Sequence, residues 1–280
     1  MNCTCAHRTT CKRDVRLYCY TVVRPHSYEV PLLGWQKSRA LGVFSCDGYD
    51  VFSTVSRLSG SLRAVPAING SMDTIVNPVG IATSDWTKGA SFNTEIFLQV
   101  WKWLRKVLHD GARKYEAVVK IDPDTLFYAP RLRRVLASAP RLDKCTPSVG
   151  AASLRWHGDN VLYTSRDSPG PLEVMGLGVA MKAFSGKWMD ECAKQNDPRE
   201  YGEDIWLIHV CLQVSMILPG SGMCVEELDG NFADIRYGIA RESIRSIQPR
   251  DGQRCATPAF HWSPAFKDVG AFRTGAEHLL

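Results

Sequence analysis

The hydrophobic pattern along the chain divides into strands and helices that alternate. Residues 16–23 (RLYCYTVV) form an apolar, Tyr/Val-rich run that ends at Arg24-Pro25, the signature of a buried strand and its exit. LGVF at 41–44 reads as a second short strand, closed by the turn-forming Ser45-Cys46-Asp47-Gly48. From 57 to 91, Gly, Ser, Pro and Asn break any period, which predicts a loop region with one short strand. The clearest helix spans 94–109, where Ile96, Phe97, Val100, Trp101, Leu104, Val107 and Leu108 recur at helical spacing. Asn93 is its expected N-cap and Gly111 its stop.

An apolar strand at 116–121 follows, ending in an acidic turn. Pro130 then opens a helix over 131–138. Further strands are expected at 148–154 and near 160–163, and helices at 180–195 and 203–216. The Gly- and Pro-containing tail from 219 predicts short strands and loops. Strands alternating with helices imply an α/β sandwich around a mostly parallel sheet. With no internal repeat and no dividing linker, residues 1–280 read as one domain, with 1–14 as an irregular extension.

Composition narrows the class. A 45% hydrophobic and 22% charged chain with mean hydropathy −0.17 is that of an ordinary globular protein, which excludes disorder, collagen and coiled coil. The longest apolar stretch, 205–218, contains His209 and Gln213 and is too short for a membrane span. The net charge of +5 is scattered apart from RLRR at 131–134, and no base-reading motif accompanies it, so nucleic acid is not an expected partner. No P-loop, GxGxxG, GxSxG or HExxH motif occurs, which removes the main support for ATPase, dehydrogenase, α/β-hydrolase and zincin chemistry.

Ten cysteines without a CxxC pair point to disulfides rather than zinc ribbons, and hence to an oxidising lumen. The triplets Asn2-Cys3-Thr4 and Asn69-Gly70-Ser71 have the form of glycosylation acceptors. MNCTCAHRTTCKRD lacks the apolar core of a signal peptide. The sequence therefore leaves two readings, a chain without its N-terminal anchor or a compartment other than the lumen.

Three places carry candidate chemistry. In Lys120-Ile121-Asp122-Pro123-Asp124-Thr125, extended geometry would turn Asp122 and Asp124 to one face, and Pro123 fixes them at the strand's end. Ligands of open α/β sheets bind outside the carboxyl ends of strands, and two convergent carboxylates there invite a divalent cation. The competing reading is an Asp-Pro-Asp surface turn. The second place is Glu203-Asp204 at a helix start, where carboxylates serve either as helix-favouring charges or as a general base fixed at a cleft edge. The third is Phe260-His261-Trp262 with Lys267. His261 is either a packed histidine or a further metal ligand, and Lys267 either a solvated lysine or a point charge for phosphate.

Taken in order, KIDPDTLF at 120–127, PLEVMGLGVAMKAF at 171–184, GEDIWLIHVCL at 202–212 and the late His261 resemble glycosyltransferases of the GT-A fold, nearest the fringe-like and β1,3-galactosyltransferase group, with a likeness to algal proteins of this type. The resemblance spans about residues 115–270. It departs from the group in the Gly-rich segment, which lacks the tandem-Gly-plus-aromatic form. The resemblance implies a nucleotide-sugar-binding sandwich and transfer of a hexose from a UDP-sugar to a glycan or glycoprotein hydroxyl. It also implies Mn²⁺ held by Asp122, Asp124 and His261, Lys267 on the phosphates, and Asp204 as the base of an inverting reaction in the Golgi lumen. Asp47, after the second strand, is a candidate nucleoside contact, against a turn-forming role. Two alternatives stand beside it: a non-catalytic glycan- or protein-binding descendant of the same fold, and a haloacid-dehalogenase-type phosphatase. The latter motif wants DxDx[TV], which Thr125-Leu126 shifts by one.

Overall fold

The computed structural model describes residues 15–72, 75–76, 91–111, 114–138, 161–164, 172–212, 224–227, 232–234, 259–261, 270 and 273. In chain order its elements are β1 (Leu17–Val22), α1 (Glu29–Ser38), β2 (Gly48–Phe52), β3 (Arg57–Ser59), β4 (Leu62–Arg63), β5 (Ile75–Val76), β6 (Ser91–Phe92), α2 (Thr94–Gly111), β7 (Ala117–Ile121), β8 (Thr125–Phe127), α3 (Ala129–Ser138), β9 (Val161–Thr164), β10 (Leu172–Gly176), α4 (Leu177–Ala183), α5 (Gly186–Gln195), β11 (Cys224–Glu227), β12 (Phe232–Asp234) and β13 (Ala259–His261). A π-helical segment, Ile205–Leu212, lies between α5 and β11.

The central sheet has the order β11-β9-β10-β7-β1-β2. Only β10 runs against the others, so the sheet is mixed but mostly parallel, as the alternation of elements predicts. Alternation along each strand sorts side chains to two apolar layers. Tyr18, Tyr20, Val118 and Met175 pack against α2, α4, Met189 and Trp206, while Leu17, Cys19, Val119, Ile121, Leu172 and Val174 pack against α1 and α3. The result is a helix–sheet–helix sandwich. Trp101 is the centre of the first layer, stacked on both Phe184 and Trp206 with ring centroids 6.0 Å apart.

Several expectations change. Residues 41–44 are not a strand: Gly42–Ser45 is a 3₁₀ turn, because Gly42 has φ +58°, and the strand follows at Gly48. Helix α1 carries no clear sequence period, since it buries Val30, Leu32, Leu33, Trp35 and Gln36 around much of its circumference. The stretch expected as one helix over 180–195 is two, divided at Phe184-Ser185. The 57–91 region holds strand pieces at β3, β4 and β5 rather than one. The strand expected at 148–154 lies outside the described residues.

Among the described residues, two disulfides join Cys19 to Cys46 and Cys192 to Cys211. The first ties β1 to the turn before β2, and the second ties α5 to the π-helical segment. Among the described residues, no helix is long and apolar enough to cross a membrane.

Candidate active site

Strand β7 delivers its acidic turn to the carboxyl edge of the sheet. The Asp122-Pro123-Asp124 segment is not extended: the Thr125 N–H donates to the Asp122 carbonyl at 3.0 Å, closing a turn. Alternation along a strand therefore does not govern the two carboxylates, and they reach different elements. Asp122 meets Lys120 Nζ at 2.7 Å on the α2 side of the sheet. The Asp124 carboxylate accepts the Tyr28 hydroxyl at 3.1 Å, at the start of α1. Both act on Glu29, the next residue of α1. Burial pushes Glu29 up to about 7, opposed by the Arg24 N–H it accepts and reinforced by the charges of Asp124 and Asp122.

Beneath the turn, three cross-strand neighbours form a buried row on one face: Tyr20 on β1, Lys120 on β7 and Glu173 on β10. The Lys120 ammonium stands over the Phe97 ring at 5.5 Å and is shared between Asp122, Glu173 at 3.5 Å, and Glu203, which it contacts closely. Burial alone would drive this ammonium down, but Asp122, Glu203 and Glu173 together hold it well above the usual lysine range. Burial pushes Glu173 far above the carboxylate range, with Lys120 opposing and Glu203 adding to the rise. Apart from the Lys120 ammonium at 3.5 Å, neither Glu173 oxygen meets a hydrogen-bond donor among the described residues. A charged Lys120 beside a proton-holding Glu173 is the arrangement that limits uncompensated charge in this interior.

The acidic pair Glu203-Asp204 is set by the start of α2. Asn93 does not cap that helix with its side chain; its Oδ1 accepts the Glu203 N–H at 2.8 Å. Thr94 Oγ1 donates to the Tyr201 carbonyl at 2.7 Å. Glu203 turns inward to Lys120, while the Asp204 carboxylate accepts the Ile205 N–H at 2.8 Å. Burial raises Asp204 above the ordinary carboxylate range, the Glu203 charge adds to this, and Lys120 opposes it. The helix then continues in π form, with Trp206 Nε1 donating to the Asn196 carbonyl at 3.0 Å. Local π geometry is frequent at functional sites.

Strand β13 brings the late histidine to the same neighbourhood through its backbone: His261 pairs with Thr125 on β8 and with Asp234 on β12. Lys267 lies outside the described residues. Asp47 is not brought to this edge. It precedes β2 at the level of Leu17 and Ala117, roughly 16 Å along the strands from Asp122 at about 3.3 Å per residue. There it accepts the Leu17 N–H at 2.8 Å and Arg133 Nη2 at 2.7 Å, which joins β1 to α3 at the opposite edge of the sheet.

Sequence reasoning missed Tyr28, Glu29, Gln36 and Glu173. The signal for Glu173 was available, as an acidic residue inside the apolar LEVM run. Helix α1 offered no comparable signal.

No protein-family description matches this chain. No curated protein matches it either. Among solved structures, it is similar to the crystal structure of a glycosyltransferase involved in the glycosylation of the major capsid of PBCV-1. The TM-score is 0.38 with 8% identity, over 94% of this chain and 98% of that one.

Proposed function

We propose that the chain is a metal-dependent glycosyltransferase that moves a hexose from a nucleotide sugar, UDP-linked by resemblance, to a hydroxyl of a glycan or glycoprotein acceptor. One observation carries the reading. Lys120 joins the carboxylate of the Asp122-Pro123-Asp124 turn to the acidic helix start at Glu203-Asp204, so two elements far apart in sequence form one site at the carboxyl edge of β7.

The residues fit a hard divalent cation in charge and donor type. The charges of Asp122 and Asp124 both bear on Glu29, and the motif's lysine is already shared with further carboxylates. Among the described residues, no group of three or more His, Cys, Asp or Glu closes into a metal shell. In the proposed complex, phosphate oxygens of the donor would complete the cation's shell, the common pattern at nucleotide sites. Asp122 and Asp124 would hold it, with His261 as a further ligand and Lys267 on the diphosphate. When bound, Mn²⁺ or a similar cation would neutralise the diphosphate as it leaves.

The protein's own part is positional. Asp204 accepts the proton of the acceptor hydroxyl, whose oxygen bonds to the anomeric carbon as the bond to the diphosphate breaks on the opposite face. The product is an inverted glycoside. Asp204 suits this role better than Glu203, because Glu203 is bound to Lys120 and burial lifts the proton affinity of Asp204. The two disulfides suit an oxidising secretory lumen, and we assign the Golgi by resemblance.

Titrating UDP into the protein with and without Mn²⁺, for wild type and Asp124→Asn, tests the reading. Mn²⁺-dependent binding abolished by the substitution supports it. Absence of binding by folded wild-type protein rejects a UDP-sugar site.

A further inference from the structure

We infer that α1 is a splint for the Asp122-Pro123-Asp124 turn, and that Tyr28 is a positioning residue for the cation proposed above, on which reading the inference rests. Helix α1 is fastened to the turn at two points. The Tyr28 hydroxyl donates to Asp124 Oδ2 at 3.1 Å, and Gln36 Nε2 donates to the Pro123 carbonyl at 2.7 Å. The donors sit at opposite ends of one helix, so the turn is gripped across two successive residues.

Each attachment departs from local helix chemistry in a way that favours the turn. Tyr28 occupies the N-cap of α1, a position that favours Ser, Thr, Asp or Asn, and its side chain makes no cap hydrogen bond. Ser27 Oγ accepts the Glu29 N–H instead, at 3.3 Å. The Tyr28 hydroxyl reaches Asp124 instead of the helix start. Gln36 is 1% exposed, an uncommon place for an amide inside an apolar helix face. Its side chain is accommodated by Gly42, which has φ +58° and where any Cβ would collide with Gln36 Oε1. The Gln36 carbonyl accepts from Leu41 at 2.9 Å and from Arg39 at 3.1 Å, so the helix end is held in register with that glycine. Tyr28, Gln36 and Gly42, neighbours in sequence, thus serve one carbonyl and one carboxylate of a distant turn.

A hydrogen bond to one oxygen of a ligating carboxylate fixes its plane and its basicity, and losing such a partner typically costs ~10–100-fold in metal affinity. A splint that only stabilised the fold would not affect cation affinity in this way.

Mn²⁺ is titrated into the full chain, without nucleotide and again with saturating UDP, and followed by electron paramagnetic resonance of the free ion, the variants being compared in whichever condition the wild type binds. Wild type, Tyr28→Phe, Gln36→Met and the distant Tyr49→Phe are compared, each checked for folding by thermal melting. We expect Tyr28→Phe to raise the Mn²⁺ Kd about tenfold or more, with Gln36→Met weakening binding in the same direction and Tyr49→Phe leaving it unchanged. If wild type binds and a folded Tyr28→Phe binds equally well, the splint is wrong while the cation site stands. If Tyr28→Phe does not fold, the Gln36→Met titration decides by the same criterion. If wild type does not bind Mn²⁺ in this or the UDP titration, the cation reading itself fails and takes the inference with it.

Discussion

Asn93 holds Glu203 by its backbone: the asparagine Oδ1 accepts the Glu203 N–H at 2.8 Å across 110 residues of sequence. The start of the longest described helix therefore sets where the acidic pair begins. Asn93→Ala should cost about 1 kcal/mol of stability from the lost hydrogen bond. On the proposed reading it should slow sugar transfer more than it weakens UDP binding, because the proposed base Asp204 moves while the Asp122-Pro123-Asp124 turn stays. Urea unfolding and a kcat-against-KM comparison check both parts.

The two members of the acidic pair should fail differently. Asp204→Asn should lower the rate of transfer, or of slow donor hydrolysis, by roughly 10²–10⁴-fold while UDP affinity holds. Glu203→Gln should mainly reduce stability, because it withdraws a charge from buried Lys120. Turnover assays beside thermal melts separate the two.

Lys120 is 3% exposed at its side chain and serves Asp122, Glu173 and Glu203. Lys120→Met strands the Asp122 and Glu203 carboxylates and should destabilise the protein by about 3–5 kcal/mol. Adding Glu203→Gln to that variant should recover part of the loss, since it removes one uncompensated charge, whereas adding Glu173→Gln should recover little, because Glu173 already holds a proton. Denaturant unfolding of the single and double variants measures the difference.

Glu29 gives a pH signature. Its carboxyl is pushed up to about 7 in the folded chain, so between the ordinary carboxylate range and about pH 7 the native state binds the proton that the unfolded state has released. Stability should therefore fall as pH rises through that window and level off above it. Glu29→Gln keeps an acceptor for the Arg24 N–H and should flatten this part of the profile. Melting temperatures from pH 4 to 8 provide the test.

The parts of the site legible in the sequence were those whose chemistry is local. Asp122 and Asp124 were visible because an apolar strand runs into an acidic, proline-bearing turn. Glu203 and Asp204 were visible because two acids precede a continuous apolar run. The relation between the two motifs was not, since it lies in one lysine whose partners come from β7, β10 and the π-helical approach. Asp47 shows the converse. A turn-forming acid beside a strand reads the same at either end of a sheet, and only the register of β1 with β2 fixes it at the far edge. The hidden helix α1 was masked by its own burial, because a helix with apolar contacts around much of its surface loses the period that advertises it.

The hydrogen bonds that fasten the turn to α1 close over 87 and 96 residues, and the one that sets the acidic pair closes over 110. Contacts of such sequence separation carry their loop-closure cost before they stabilise anything, and they form late and slowly. The site consequently has no local precursor. Helix α2, whose bonds are local, needs none of these closures, whereas the pairing of β1 with β7 spans 100 residues and shares their cost, so binding at this edge would report completion of the fold rather than progress toward it.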